Sequence, residues 1–352
     1  MANLSSLDAH AVAWLLAPDS DNPGARYFAL ADLLDRPPND PELITARQGV
    51  MSSGPASAIL NAQLPGGYWS HPGNTYSPKY RGTTWSMIFL AMFGADPDDE
   101  RVRAGGDYLL QHSRAASGRF RVSAESASNV MVHCLEGNLC AALLDLGWLG
   151  DLRLDEALEG LARSVTGLGM APAEDRQALV RFYRSGNSGP GFLCSGNNHL
   201  PCAWGTVKVL LALGKVPPDS RTPAVRSAIT AAVEFLLGRD PAVADYPTPF
   251  GGKPSGSWFK FGYPLGYVTD VLQNLEALTA AGYGNDPRMA RGLDLVRRKQ
   301  DVQGHWKMEY TYNGKMWADV ETLGQPSKWV TLRALRVLKR AGLIAIPAGF
   351  AG

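Results

Sequence analysis

The chain has 352 residues, a formal net charge of +1 and an apolar share of 45 %. That is room for one large domain or two ordinary ones. Such a balance offers no basic surface for nucleic acid and no acidic, disordered tail. No apolar run reaches the roughly 18–20 residues of a membrane span. The opening stretch, "MANLSSLDAHAVAWLLAPDSD", lacks the basic start and apolar core of a signal peptide, so a soluble cytoplasmic protein is expected. In that compartment four cysteines, at 134, 140, 194 and 202, read as thiols or metal ligands rather than disulfides.

A helix-starting corner recurs along the chain: "NDPEL" at 39–43, "ADPDDERV" at 95–102, "GDLRLDEAL" at 150–158, "RTPAVRSAI" at 221–229 and "NDPRMARGL" at 285–293. Each supplies a capping side chain, often with proline at the first helical position. Nearly apolar runs precede four of these corners: "TTWSMIFLAMFG", "GNLCAALLDLG", "GTVKVLLALG" and "TDVLQNLEALTAAG". Amphipathic runs such as "RVRAGGDYLLQH", "AVRSAITAAVEFLLG" and "RMARGLDLVRRKQD" follow them. A glycine-aromatic loop then leads into the next unit, as in "AQLPGGYW", "SGRF", "GPGF", "SGSW" and "QDVQGHW". The unit is helix, short turn, helix, long loop, over roughly 50–70 residues. Apolar first helices belong inside, and second helices with a charged face belong outside. The expectation is an all-α single domain over 1–352: five to six helical hairpins, an inner ring within an outer ring, long loops at one end. An open helical solenoid is the alternative. The Pro/Gly stretch 240–262 is a loop of a length that is functional or disordered.

With this repeat the sequence resembles the α/α-toroid proteins of the terpene cyclase and protein prenyltransferase superfamily, including prenyltransferase-like and squalene-cyclase-like bacterial proteins. "QDVQGHW" (Gln300, Asp301, Gly304, Trp306) is similar to the Gln-Trp repeat of squalene cyclases, and "AQLPGGYW" (Gln63, Gly67, Trp69) is a weaker copy. The resemblance implies an α/α barrel with a cavity at its loop end. Two features of the superfamily are absent. The acidic motif by which class II cyclases protonate an alkene is missing; "DPDDE" at 96–100 sits at a helix start, where acids are expected. The ordered Asp, Cys and His that bind zinc in prenyltransferases are missing too. A cysteine pair just before an inner helix also resembles linalool dehydratase-isomerase, another α/α barrel.

The repeat brings the starts of the inner helices to the loop end. Cys202 precedes "AWGTVKVLLALG", Cys194 lies in the loop before it, and His133 and Cys134 hold the equivalent place one unit earlier. Cys134, Cys194 and Cys202 could converge there. Cys140 falls on another helix face and reads as packing. Three thiolates would suit zinc, closed by a histidine or left open to a water. A thiolate beside His199 or His133 would suit metal-free acid/base or nucleophilic chemistry, and buried thiols can also be mere core. Asp270 either caps the helix that follows or points inward as an acid or base. Asp319 and Glu321 lie near Lys328, as acid/base groups or as its ion-pair partners. Tyr68, Trp69, Tyr76, Tyr80 and Trp85 in the first long loop, with Trp204, Tyr263, Tyr267 and Trp317 beyond it, are candidates to bind an apolar substrate. His71 and His305, in similar loops, read as surface residues. The function expected is an enzyme acting on an apolar small molecule by hydration–dehydration, isomerisation or cyclisation. The alternatives are a zinc-dependent prenyl transferase and a non-catalytic toroid that binds a ligand or partner.

Overall fold

The computed structural model describes residues 5–122, 131–169, 171, 174–177, 188–249, 251, 253–347 and 350. Its helices, in chain order, are α1 (Ser6–Leu16), α2 (Pro23–Phe28), α3 (Pro41–Ser52), α4 (Gly54–Asn61), α5 (Thr83–Phe93), α6 (Glu100–His112) and α7 (His133–Asp145). They continue with α8 (Leu152–Thr166), α9 (Ala203–Gly214), α10 (Pro223–Leu237), α11 (Val271–Ala280), α12 (Ala290–Arg298) and α13 (Lys328–Arg340). A π-helical turn, Ala29–Leu33, extends α2.

The corners start helices as their sequence predicts. Asp40, Asp99, Asp151 and Thr222 each accept a backbone N–H from the first turn of α3, α6, α8 and α10, and Asp286 does so for the turn leading into α12. The four apolar runs form α5, α7, α9 and α11, which pack side by side; α13 follows α11 and returns to α2, whose Gly24 abuts Phe93 of α5 and completes the inner ring. Burial follows composition, so that α5 buries every residue except Met92. Each inner helix carries an outer one. Five pairs are consecutive in sequence (α2–α3, α5–α6, α7–α8, α9–α10 and α11–α12), and the sixth sets α1 against α13. The two ends of the helical array thus close the ring.

The Gln-Trp motifs are joints of this frame. The Trp69 indole donates to the Ile59 carbonyl at 2.7 Å, and its backbone N–H donates to Thr83 Oγ1 on α5. Trp306 repeats both bonds, to Val296 O at 2.7 Å and Thr331 Oγ1 on α13. Each indole therefore satisfies a carbonyl at the end of one helix while its backbone ties down the next inner helix. Two residues earlier, Gly67 and Gly304 both have positive φ, and a Cβ on either would collide with backbone, of Ala104 and Leu7 respectively. Only glycine combines that conformation with that approach.

The lumen is not hollow. Residues 261–267, ahead of α11, run inside the ring. Tyr263 stacks on Trp329 of α13 with ring centres 4.6 Å apart, and its hydroxyl donates to Met92 O at the far end of α5. Asn138 of α7 donates to Gly266 O at 3.1 Å. Tyr267, Trp85, Tyr80 and Tyr312 pack against one another beside this segment.

Candidate active site

A cavity of about 290 Å³ opens at the long-loop end, beside the N-termini of α7 and α9. Its walls are mostly apolar, with Trp204, Tyr246, Trp258, Pro247 and Pro254 among them, and Cys134, Cys194 and Cys202 face it. A small hairpin, β1 (Leu193–Cys194) with β2 (Leu200–Pro201), aims two of the thiols. Leu200 stands opposite Cys194, and Cys202 continues the ladder through its N–H to Phe192 O. Side chains two residues apart on a strand share a face, so Cys202 joins Cys194 on one side of the hairpin. Asn197 locks this arrangement, donating to Pro201 O at 2.9 Å and to Pro247 O at 3.0 Å.

Cys202 is placed to donate to Cys194, and the two thiols divide their protons unequally. The bond from Cys202, aided by the N–H groups of Gly196 and Asn197 and the Ser188 hydroxyl, outweighs burial and lowers Cys194 from the ordinary 9.0 to about 6. As the donor, and buried besides, Cys202 is held well above the ordinary thiol value. Cys134 is pushed up to about 12, by burial first and then by the nearby Cys194. Cys194 is thus the most readily ionised of the three, and the thiolate is the reactive form of a cysteine. Among the described residues no three His, Cys, Asp or Glu side chains are arranged to hold a metal ion. The zinc expectation is corrected accordingly: the three thiols meet at one pocket without forming a ligand set. Cys140 is wholly buried in the core.

The other expected groups lie elsewhere. His199 is exposed at the hairpin turn, outside the walls of the cavity. His133 turns toward α8, its Nε2 lying 2.8 Å from Ser164 Oγ, and burial lowers its pKa to about 3. Asp270 caps α11 through Gln273 N–H, accepts from Gly262 N–H and takes a two-pronged bond from Arg333, each prong 3.0 Å. Its oxygens are fully engaged. Asp319 is exposed and accepts from Gly314 N–H at 2.6 Å. Glu321 receives the Lys328 backbone N–H, whereas the Lys328 ammonium reaches Asp19 at 3.3 Å. His305 is buried and stacks on Trp14, their ring centres 3.9 Å apart, whereas His71 is exposed. Of the expected aromatics, Trp204 lines the cysteine cavity. Trp69 is a frame residue, Tyr68 stacks on Tyr108 of α6, and Trp317 donates to Arg81 O. Tyr76, Tyr80, Trp85, Tyr263 and Tyr267 fill the lumen together. Tyr246, Trp258 and Asn197 escaped the sequence reading; the signal was the Pro/Gly stretch 240–262, whose length marked it without marking residues.

No family model and no curated protein matches the chain. Solved structures do. An unsaturated glucuronyl hydrolase specific for heparin superposes with a TM-score of 0.50 at 10 % identity, over 91 % of this chain and 85 % of the other. The chain is an α/α toroid. Two further likenesses to this toroid are looser. The type II terpene cyclase MstE from Scytonema has a TM-score of 0.46 at 14 % identity, over 96 % of this chain and 97 % of its own. A protein from Actinoplanes has a TM-score of 0.45 at 16 %, over 96 % and 98 %. At such identities the likeness concerns the fold. No described helix of the toroid is long and apolar enough to cross a membrane.

Proposed function

We propose that this toroid is an enzyme that performs acid/base chemistry on an apolar small molecule in the cysteine cavity, by hydration–dehydration or isomerisation. One observation carries the reading: two cysteines of opposed acidity, Cys194 and Cys202, share one face of a hairpin on the wall of an apolar cavity. Such a pair supplies a base and an acid side by side. In a dehydration, the Cys194 thiolate takes the proton from the carbon beside the carbinol. Cys202 delivers its proton to the departing hydroxyl, which leaves as water. The pair ends with its charge on Cys202, and proton exchange between the two sulfurs resets it. The aromatic walls favour a substrate of alkene or allylic alcohol type, whose transient positive charge a ring face stabilises.

The experiment is incubation of the purified chain with acyclic ten-carbon allylic alcohols and the corresponding alkenes, with products read by gas chromatography. Turnover that falls about 100-fold or more in Cys194→Ser is expected. Cys194 should also be alkylated fastest of the four thiols, with a pH midpoint near 6. An alkylation midpoint near the ordinary 9.0, or turnover unaffected by Cys194→Ser, contradicts the proposal.

A further inference from the structure

A second cavity, of about 380 Å³, lies at the opposite, short-turn end of the ring. The C-terminal parts of α5, α7 and α9 line it, and Tyr263 and Leu265 of the lumen segment contribute to its wall. Its charge is lopsided. Arg333, Arg336 and Arg340 stand at i, i+3 and i+7 on α13, hence on one helix face. Arg47 and Lys215 also line the cavity, against the carboxylates Asp32, Asp145 and Glu276.

The pairing leaves a surplus. Arg333 binds Asp270 and Glu276, Lys215 binds Asp145 at 2.7 Å, and Arg336 pairs with Asp32. Arg47 stands 3.6 Å from Asp96, outside hydrogen-bond range, with its guanidinium over the Tyr27 ring. Among the described residues, no carboxylate pairs with Arg340. The Nε of Arg336 is buried with no hydrogen-bond partner. A buried donor left unpaired costs free energy unless something accepts from it. The negative ends of helix dipoles favour cations at this end of the ring. That accounts for Lys215, which follows α9, and for Arg340 in the last turn of α13. It does not account for Arg47, early to middle in its own helix, or for the orphaned Nε. Ile88, Met92 and Leu211 add an apolar strip to the wall, beside the amides of Asn138 and Gln273.

We infer that this cavity is a binding site for a small organic anion, a carboxylate or phosphate ester carrying an apolar body. Its head accepts from Arg336 and Arg340, and its body lies on Ile88, Met92 and Leu211. The inference stands independently of the thiol chemistry, because the two cavities share no lining residue.

The test is calorimetric titration of the full chain with sodium octanoate, with neutral octanol as the control for the body alone. Octanoate is expected to bind at one site, at least tenfold tighter than octanol, and to weaken at least tenfold in Arg340→Glu and in Arg47→Glu. Both side chains are partly solvent-exposed, and retained helical circular dichroism verifies the fold of each variant. Trp204→Ala, in the cysteine cavity, is expected to leave octanoate affinity unchanged. Absence of octanoate binding at millimolar concentration overturns the inference. So does equal affinity in the folded charge-reversed variants, or loss of binding in Trp204→Ala.

Discussion

At the scale of single residues, the site turns on which atoms hold protons. Cys194 ionises more readily than an ordinary thiol, first because Cys202 is placed to donate to it. Cys202→Ala removes that donor, so the midpoint of Cys194 alkylation should climb from about 6 toward 9.0. An unmoved midpoint would assign the shift to the backbone donors instead. His133 reports on the fold. It stays neutral inside, with a pKa lowered to about 3 against 6.5 when unfolded. Between those values the unfolded chain binds the proton and the folded chain does not. The stability present above pH 6.5 is therefore lost as pH falls toward 3, by up to about 1.4 kcal/mol per unit. Denaturant titrations of wild type and His133→Gln at pH 5 and pH 7 should differ in slope, with the variant flatter. The sequence placed three of the four cysteines at the same mouth because the repeat sets where each inner helix begins. It could not assign their protons, which depend on Gly196, Asn197 and Ser188 converging on one sulfur.

At the scale of elements, the repeat was legible because every unit solves the same capping problem. Aspartate or threonine corners and apolar first helices recur, and each fell where its chemistry directs. The aromatics could not be sorted by sequence, because periodicity says that a ring is inside without saying inside what. Trp69 and Trp306 serve as helix joints, and Tyr263 and Tyr267 fill the lumen. Asp270 followed its capping alternative and added an arginine partner from α13, 63 residues away, which no local pattern could announce. The joints can be measured. Trp306→Phe keeps the apolar mass but removes the indole bond to the Val296 carbonyl, which then keeps only the Lys299 N–H, and should cost about 0.5–1.5 kcal/mol. Trp69→Phe should cost a similar amount at Ile59, and thermal unfolding of both variants checks whether the two motifs are equivalent.

At the scale of the whole molecule, a ring with a filled centre depends on groups that tie its layers together. Arg119, in the loop after α6, and Glu136, on α7, form a two-pronged pair with both side chains 1 % exposed. Removing one partner strands the other charge, so Arg119→Ala should destabilise the fold by about 3–5 kcal/mol, measured by denaturant unfolding. Replacing both members with apolar residues should cost much less. The filled lumen also bears on traffic. Tyr263 reaches across the bore from Trp329 to the end of α5, and the cysteine cavity shares no wall residue with the cavity at the opposite end. The proposed chemistry and any anion held at the other end would therefore be served by separate doorways, each reached from its own side of the ring.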